Sequence, residues 1–100
     1  MEDVIYYNEL YDLYGKLLTD KQKKYFEDYY FNNLSLGEMA ELYDVSRNAI
    51  FKQVHNVVEK LKDYEEKLGL YNKRNILISI VDKINNDKVR EELEDIINNF

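Results

Sequence analysis

The sequence contains no cysteine, no proline and no tryptophan, and it has three glycines and one histidine in 100 residues. Without cysteine there can be no disulfide, no thiolate metal site and no thiol nucleophile, which suits a reducing compartment. Without proline, and with so little glycine, the chain lacks the turn residues of sandwiches and barrels. No apolar run approaches the roughly 18 residues of a membrane span. The start, Met1-Glu2-Asp3-Val4, is acidic where a signal peptide is basic, so the expected location is the cytoplasm. Positive charge is also in deficit. Lys and Arg number 14 against 20 Asp and Glu, a net charge of −6. That balance argues against a general nucleic-acid sponge.

What is present is helical. The hydrophobic share of 45% is enough for one core in a chain of single-domain size. Val4, Ile5, Leu10, Leu13 and Leu17, with the tyrosines between them, predict a first helix over about residues 2–16, closed by a left-handed Gly15. Thr19-Asp20-Lys21-Gln22 forms a capping box. It opens a second helix whose apolar face is Tyr25, Phe26, Tyr29 and Tyr30, ending at Asn32-Asn33. Ser35-Leu36-Gly37-Glu38 is a second box, opening a short helix with Leu36, Met39, Ala40 and Tyr43.

Asp44-Val45 is a turn, and Ser46 caps a long helix with Ile50, Val54, Val57, Val58 and Leu61 inside and Gly69 as its stop. Ile76, Leu77, Ile80, Val81 and Ile84 predict another helix, rather than a buried strand, because no partner strand is in sight. Val89, Leu93, Ile96, Ile97 and Phe100 predict a last one, capped by Asp87.

The informative stretch runs from Leu36 to Val58. A short helix with a small residue midway, a tight turn and a second helix opening on Ser is the helix-turn-helix pattern. Ala40 is small where the two helices cross. Met39, Val45 and Ile50 are the apolar contacts expected to fix the crossing angle. Asp44 stands in the turn and is among the few residues other than Gly that accept positive φ.

Opposite the apolar face of the long helix lie Asn48, Lys52, His55, Asn56 and Glu59, with Arg47 in the first turn. In a major groove the N-terminal residues of such a helix reach base edges. Arg47 then addresses guanine and Asn48 adenine, with Lys52 and His55 near phosphates. Ser46 and the free amides behind it are suited to a phosphate. Lys21, Lys23 and Lys24, at the start of the second helix, are candidate backbone contacts. Phe51 flanks the core, and packing against the second helix is one role open to it.

The acidity lies mainly outside this stretch. Residues 1–15 carry Glu2, Asp3, Glu9 and Asp12 and no base, residues 63–100 are acidic in balance, and residues 16–62 are near neutral. The expected binding to duplex DNA is therefore weak to moderate and salt-sensitive. Chemistry is poorly supplied. There is no HExxH, no phosphate-cradling Gly loop and no GxSxG, and Glu65-Glu66 diverge by about 100° on a helix. The expectation is no enzyme, with no catalytic residues, no cofactor and no metal.

Leu17-Leu18-Thr19-Asp20-Lys21-Gln22, Tyr25-Phe26, Leu34 through Ala40, Val45 through Ile50 and Leu61 through Tyr71 together resemble the bacterial YlxM family. These are small helix-turn-helix proteins similar to the sigma-factor region that reads the −35 promoter element. The resemblance covers about residues 4–75. It implies a winged-helix-like, sigma-region-4-like helical fold, a DNA-binding motif and a bacterial cytosolic home. It also implies a link to the signal recognition particle, because family genes usually neighbour those of its GTPase or receptor.

The fold class expected is all-α, a helix-turn-helix domain over residues 1–70 (motif 35–62) with a C-terminal helical pair over 71–100. The function expected is DNA-binding regulation, with some part in the signal recognition particle pathway. The alternative is a protein- or RNA-binding accessory of that particle without tight DNA binding. The apolar load of the C-terminal pair is expected to be buried in a homodimer interface, the alternative being packing against the first helix of the same chain.

Overall fold

The computed structural model describes residues 3–100. Six helices follow one another: α1 Val4–Tyr14, α2 Asp20–Tyr30, α3 Leu36–Tyr43, α4 Arg47–Leu68, α5 Leu70–Val81 and α6 Asp87–Asn98, with a 3-10 turn Gly15–Leu17 between the first two. No strand occurs among the described residues, and the Ile76–Val81 run is helical. No described helix is long and apolar enough to cross a membrane.

The starts of these helices are set locally. Thr19 and Ser35 each make the full reciprocal capping box, with Gln22 and Glu38 respectively. The Ser46 hydroxyl accepts from the Ala49 amide at 3.1 Å and caps α4. Such caps contribute about 0.5–2 kcal/mol each. The turn into α4 uses a left-handed Asp44, φ 53°. Asn33, at φ 55°, makes the corresponding turn after α2. Gly69 ends α4 at φ 65°, a backbone state that costs most residues with a Cβ, Asn and Asp least, about 1–2 kcal/mol.

Three expectations shift. The first helix stops at Tyr14, and Gly15 is right-handed, φ −55°, so it does not close the helix as a left-handed residue. Gly15 is small for another reason. A Cβ there would stand 3.2 Å from the Tyr11 ring. The last helix is capped by Asn86, whose side chain accepts from the Val89 amide at 3.1 Å, and Asp87 is its first residue. Val45 is 43% exposed, so the packing between α3 and α4 falls to Met39 and Ile50, both fully buried.

Helix α4 is the spine, packed on α1, α2 and α3. Its inner face, Ile50, Val54, Val57, Val58 and Leu61, is buried throughout. The lower half of that face joins Leu10, Tyr14, Leu18 and Phe26. The upper half joins Tyr25 and Met39. One continuous helix thus spans two adjoining clusters, and the second of them holds the helix-turn-helix in place.

The corner between α4 and α5 has no side-chain cap of its own, because Gly69 occupies it. Glu65 and Tyr14 replace the missing cap. The Tyr14 hydroxyl donates to Glu65 Oε1 at 2.6 Å and accepts from the Leu70 amide at 2.9 Å. Glu65 also accepts from the Tyr71 and Asn72 amides at 2.9 and 3.2 Å. The free amides of the α5 N-terminus are thereby satisfied by a carboxylate, as the helix dipole favours. Arg74 on α5 pairs with Glu9 on α1 and fastens the start of the C-terminal hairpin to the body.

Candidate nucleic-acid interface

Helix α4 presents its N-terminal half outward. At 100° per residue, Arg47, Asn48, Phe51 and His55 fall within about a quarter of its circumference, with Lys52 at the edge. Ser46, Arg47, Asn48, Phe51, Lys52 and His55 are all exposed. Arg47 reaches back over the start of α3, where a Cβ on Gly37 would lie 3.9 Å from its Nε. Among the described residues neither Arg47 nor Lys52 forms an ion pair, so both charges are open to an outside anion. His55 faces Glu59, Nε2 to Oε1 3.9 Å, and Glu59 also pairs with Lys62 at 3.6 Å. A carboxylate thus stands at the lower end of the stripe and marks where an anionic ligand would cease to be welcome.

The three lysines of α2 separate. Lys21 lies over the Tyr25 ring and Lys24 over the Tyr43 ring, each 5.7 Å from the centroid. Those two rings meet edge to face and pack beside Ile50 and Val54. Lys21 and Lys24 therefore stand beside the helix-turn-helix. Lys23 is on the other side of α2, in a hollow shared with Tyr11, Asp12 and Glu27.

Two features of the site escape sequence reasoning. Phe51 is 57% exposed and stacks on the His55 ring with planes 9° apart. Its spacing puts it at the flank of the core, where packing against α2 is one open role and exposure another. The second is Asp28, a buried carboxylate on α2. It accepts from the Tyr43 hydroxyl of α3 and, at 3.2 Å, from the Asn32 side chain. That bond ties the first helix of the motif to α2. Burial and the neighbouring carboxylate push the Tyr43 hydroxyl well above its ordinary pKa. Nothing in the local spacing of Asp28 announces a partner 15 residues away.

The outward stripe lines two hollows. One, beside the α4 N-terminus, is bordered by Leu36, Ser46, Arg47, Asn48 and Phe51. The other, of about 160 Å³, lies between α1, α2 and α4, with Tyr7, Tyr29, Phe51, His55 and Lys62 among its walls. Phe51 and Leu36 line both.

Comparison with known proteins gives one consistent result. Residues 1–100 match the family model UPF0122, described as "Putative helix-turn-helix protein, YlxM / p13 like". The UPF0122 protein of Caldanaerobacter subterraneus subsp. tengcongensis is 43% identical over 83% of this chain and 71% of its own length. That of Fusobacterium nucleatum subsp. nucleatum is 41% identical over 100% of this chain and 97% of its own. That of Mycoplasma capricolum subsp. capricolum is 37% identical over 92% of this chain and 81% of its own.

Proposed function

The chain belongs to the UPF0122 family of YlxM/p13-like helix-turn-helix proteins, and from that membership we propose that it binds duplex DNA as a regulator, with α4 in the major groove. The observation that carries this reading is the outward stripe at the α4 N-terminus, where Arg47 and Lys52 stand exposed and without acidic partners. Arg47 and Asn48 are the base readers, to guanine and adenine. The first-turn amides behind Ser46 and the side chains of Lys52 and His55 meet phosphates. Lys21 and Lys24 add backbone contacts beside the motif, and Lys23 contributes at most a distant charge.

Affinity is set against an acidic protein, so binding is salt-sensitive. A salt-titrated mobility shift on duplex DNA, run beside a structured RNA, tests the proposal. Binding to the duplex at low salt supports it, and no binding there contradicts it.

A specific observation favours the second reading, a protein- or RNA-binding accessory of the signal recognition particle. Helix α6 carries Asp87, Glu91, Glu92, Glu94 and Asp95 against Lys88 and Arg90. That surface suits a basic protein and repels a nucleic acid. We propose in addition that the acting unit is a homodimer. Ile76, Ile80, Val89 and Ile96 are exposed on the α5–α6 hairpin, and a second hairpin is the occupant its charges fit. Helix α5 carries no acidic residue and has the exposed Lys73 near its start where α6 is acidic, so α6 of one copy lies beside α5 of the other without like-charge repulsion.

A further inference from the structure

We propose that Phe51 is a sequence-reading residue that contacts the 5-methyl group of thymine. The inference rests on the duplex-binding reading above and adds to it a base preference. Of the outward residues Arg47, Asn48, Phe51, Lys52 and His55, Phe51 is the apolar one, and it stands 57% exposed. Single exposed apolar side chains are common on protein surfaces and ordinarily mean little. This one differs in its setting. It lines both hollows along the stripe, as does the less exposed Leu36, beside Arg47 and Asn48 in one and beside His55 in the other. Its ring is also held, stacked on the His55 ring with centroids 6.1 Å apart and planes 9° apart. That contact favours one orientation of the ring and leaves an edge and one face open.

The chemistry of the major groove supplies a match. Base edges there present hydrogen-bond donors and acceptors and one apolar group, the thymine methyl, for which Phe is a suitable contact. Four residues of helix advance about 6 Å. Successive base pairs are about 3.4 Å apart. With α4 along the groove, Phe51 therefore meets a base about two steps from the one Arg47 reads. Stacking of an unpaired base asks for something else, an open aromatic face with a cationic groove around it. One face of Phe51 stays open, and what disfavours stacking there is charge: the Glu59 carboxylate stands 3.9 Å from His55 at that end of the stripe.

The test uses the full-length chain. Duplexes selected from a random pool at low salt are re-synthesised with deoxyuridine in place of thymidine, which removes the methyl group alone. Burial of one methyl group is worth about a 4-fold change in affinity. The wild-type chain is expected to bind the thymine duplex about 4-fold more tightly than the uracil duplex for each methyl contacted. Phe51→Ala loses that preference while Phe51→Leu retains part of it, and both keep the wild-type thermal midpoint because the side chain is exposed. Equal binding of wild type to both duplexes overturns the proposal and leaves duplex binding standing. A preference that survives Phe51→Ala overturns it as well. Failure to select any duplex overturns the duplex reading and this one together. Phe51-dependent binding of single-stranded RNA with none to duplex assigns the ring to base stacking and overturns methyl contact.

Discussion

At the scale of single residues, this protein is organised by tyrosines that donate to carboxylates. Tyr14 bonds Glu65, Tyr43 bonds Asp28 and Tyr11 bonds Glu27, each pair joining two helices. Burial and the carboxylate partner raise all three phenols, Tyr14 to about 12 and the other two further still. A raised phenol pKa means the folded state holds its proton more tightly than the unfolded chain. The stabilisation is complete below the unfolded value near 10 and is lost as pH rises through the folded value. Folding stability, followed by urea denaturation, is therefore expected to decline above about pH 10.

Phenolate absorbance should show these three tyrosines ionising later than the rest, and Tyr14→Phe should flatten part of the alkaline decline. Asp28→Ala, which removes the carboxylate that the half-buried Tyr43 hydroxyl donates to, is expected to cost about 1–3 kcal/mol. None of these bonds was legible in the sequence. The tyrosines read as apolar faces of their helices, which they are. The hydroxyl's partner lies 15 to 51 residues away, and no periodicity carries that information.

At the scale of elements, most of the structure was legible, because caps and turns are written within four residues. Thr19, Ser35 and Ser46 cap, and Asp44 and Gly69 take left-handed states, where their side-chain chemistry places them. Gly15 and Asp87 show the limit. Gly15 has no conformational need, and the Tyr11 ring lies 3.2 Å from where its Cβ would stand. Asn86 and Asp87 are both good caps, and the sequence does not decide between neighbours.

Gly69→Ala meets open space, with only Lys73 Cε 4.0 Å away, so its cost is the left-handed strain alone, about 1 kcal/mol. Glu65→Ala strips the α5 N-terminus of its carboxylate and is expected to raise hydrogen exchange at Leu70, Tyr71 and Asn72 far more than in α3. Equal protection in wild type and variant would count against Glu65 as the cap of α5.

At the scale of the whole molecule, the chain is long for its size. Its extents are 55 × 26 × 25 Å and its radius of gyration 16.9 Å, against about 13 Å for a compact chain of 100 residues. The C-terminal hairpin accounts for the difference. It rests on α1 through α5, and within α6 only Ile97 is buried. Two helices cannot enclose a core, whereas four can. Light scattering is expected to give twice the chain mass of 12.1 kDa at micromolar concentration, and Ile96→Asp to give the single mass. A strict monomer in both would contradict dimerisation.

The candidate site was legible in part. Arg47, Asn48, Lys52 and His55 do share an outward face, because helical periodicity alone places them there. Phe51 and the separation of Lys23 from Lys21 and Lys24 depend on neighbouring helices, which the sequence of one helix does not specify.

The central claim is that α4 enters a major groove. Its most direct measurement is the salt dependence of duplex binding by the wild-type chain, Lys52→Ala and Arg47→Ala. The account predicts a linear fall of log affinity with log salt. Lys52→Ala should make that slope shallower by about 1, and Arg47→Ala should cost about 1–3 kcal/mol of binding on selected sequences. No binding at low salt, or binding that neither substitution changes, would contradict it.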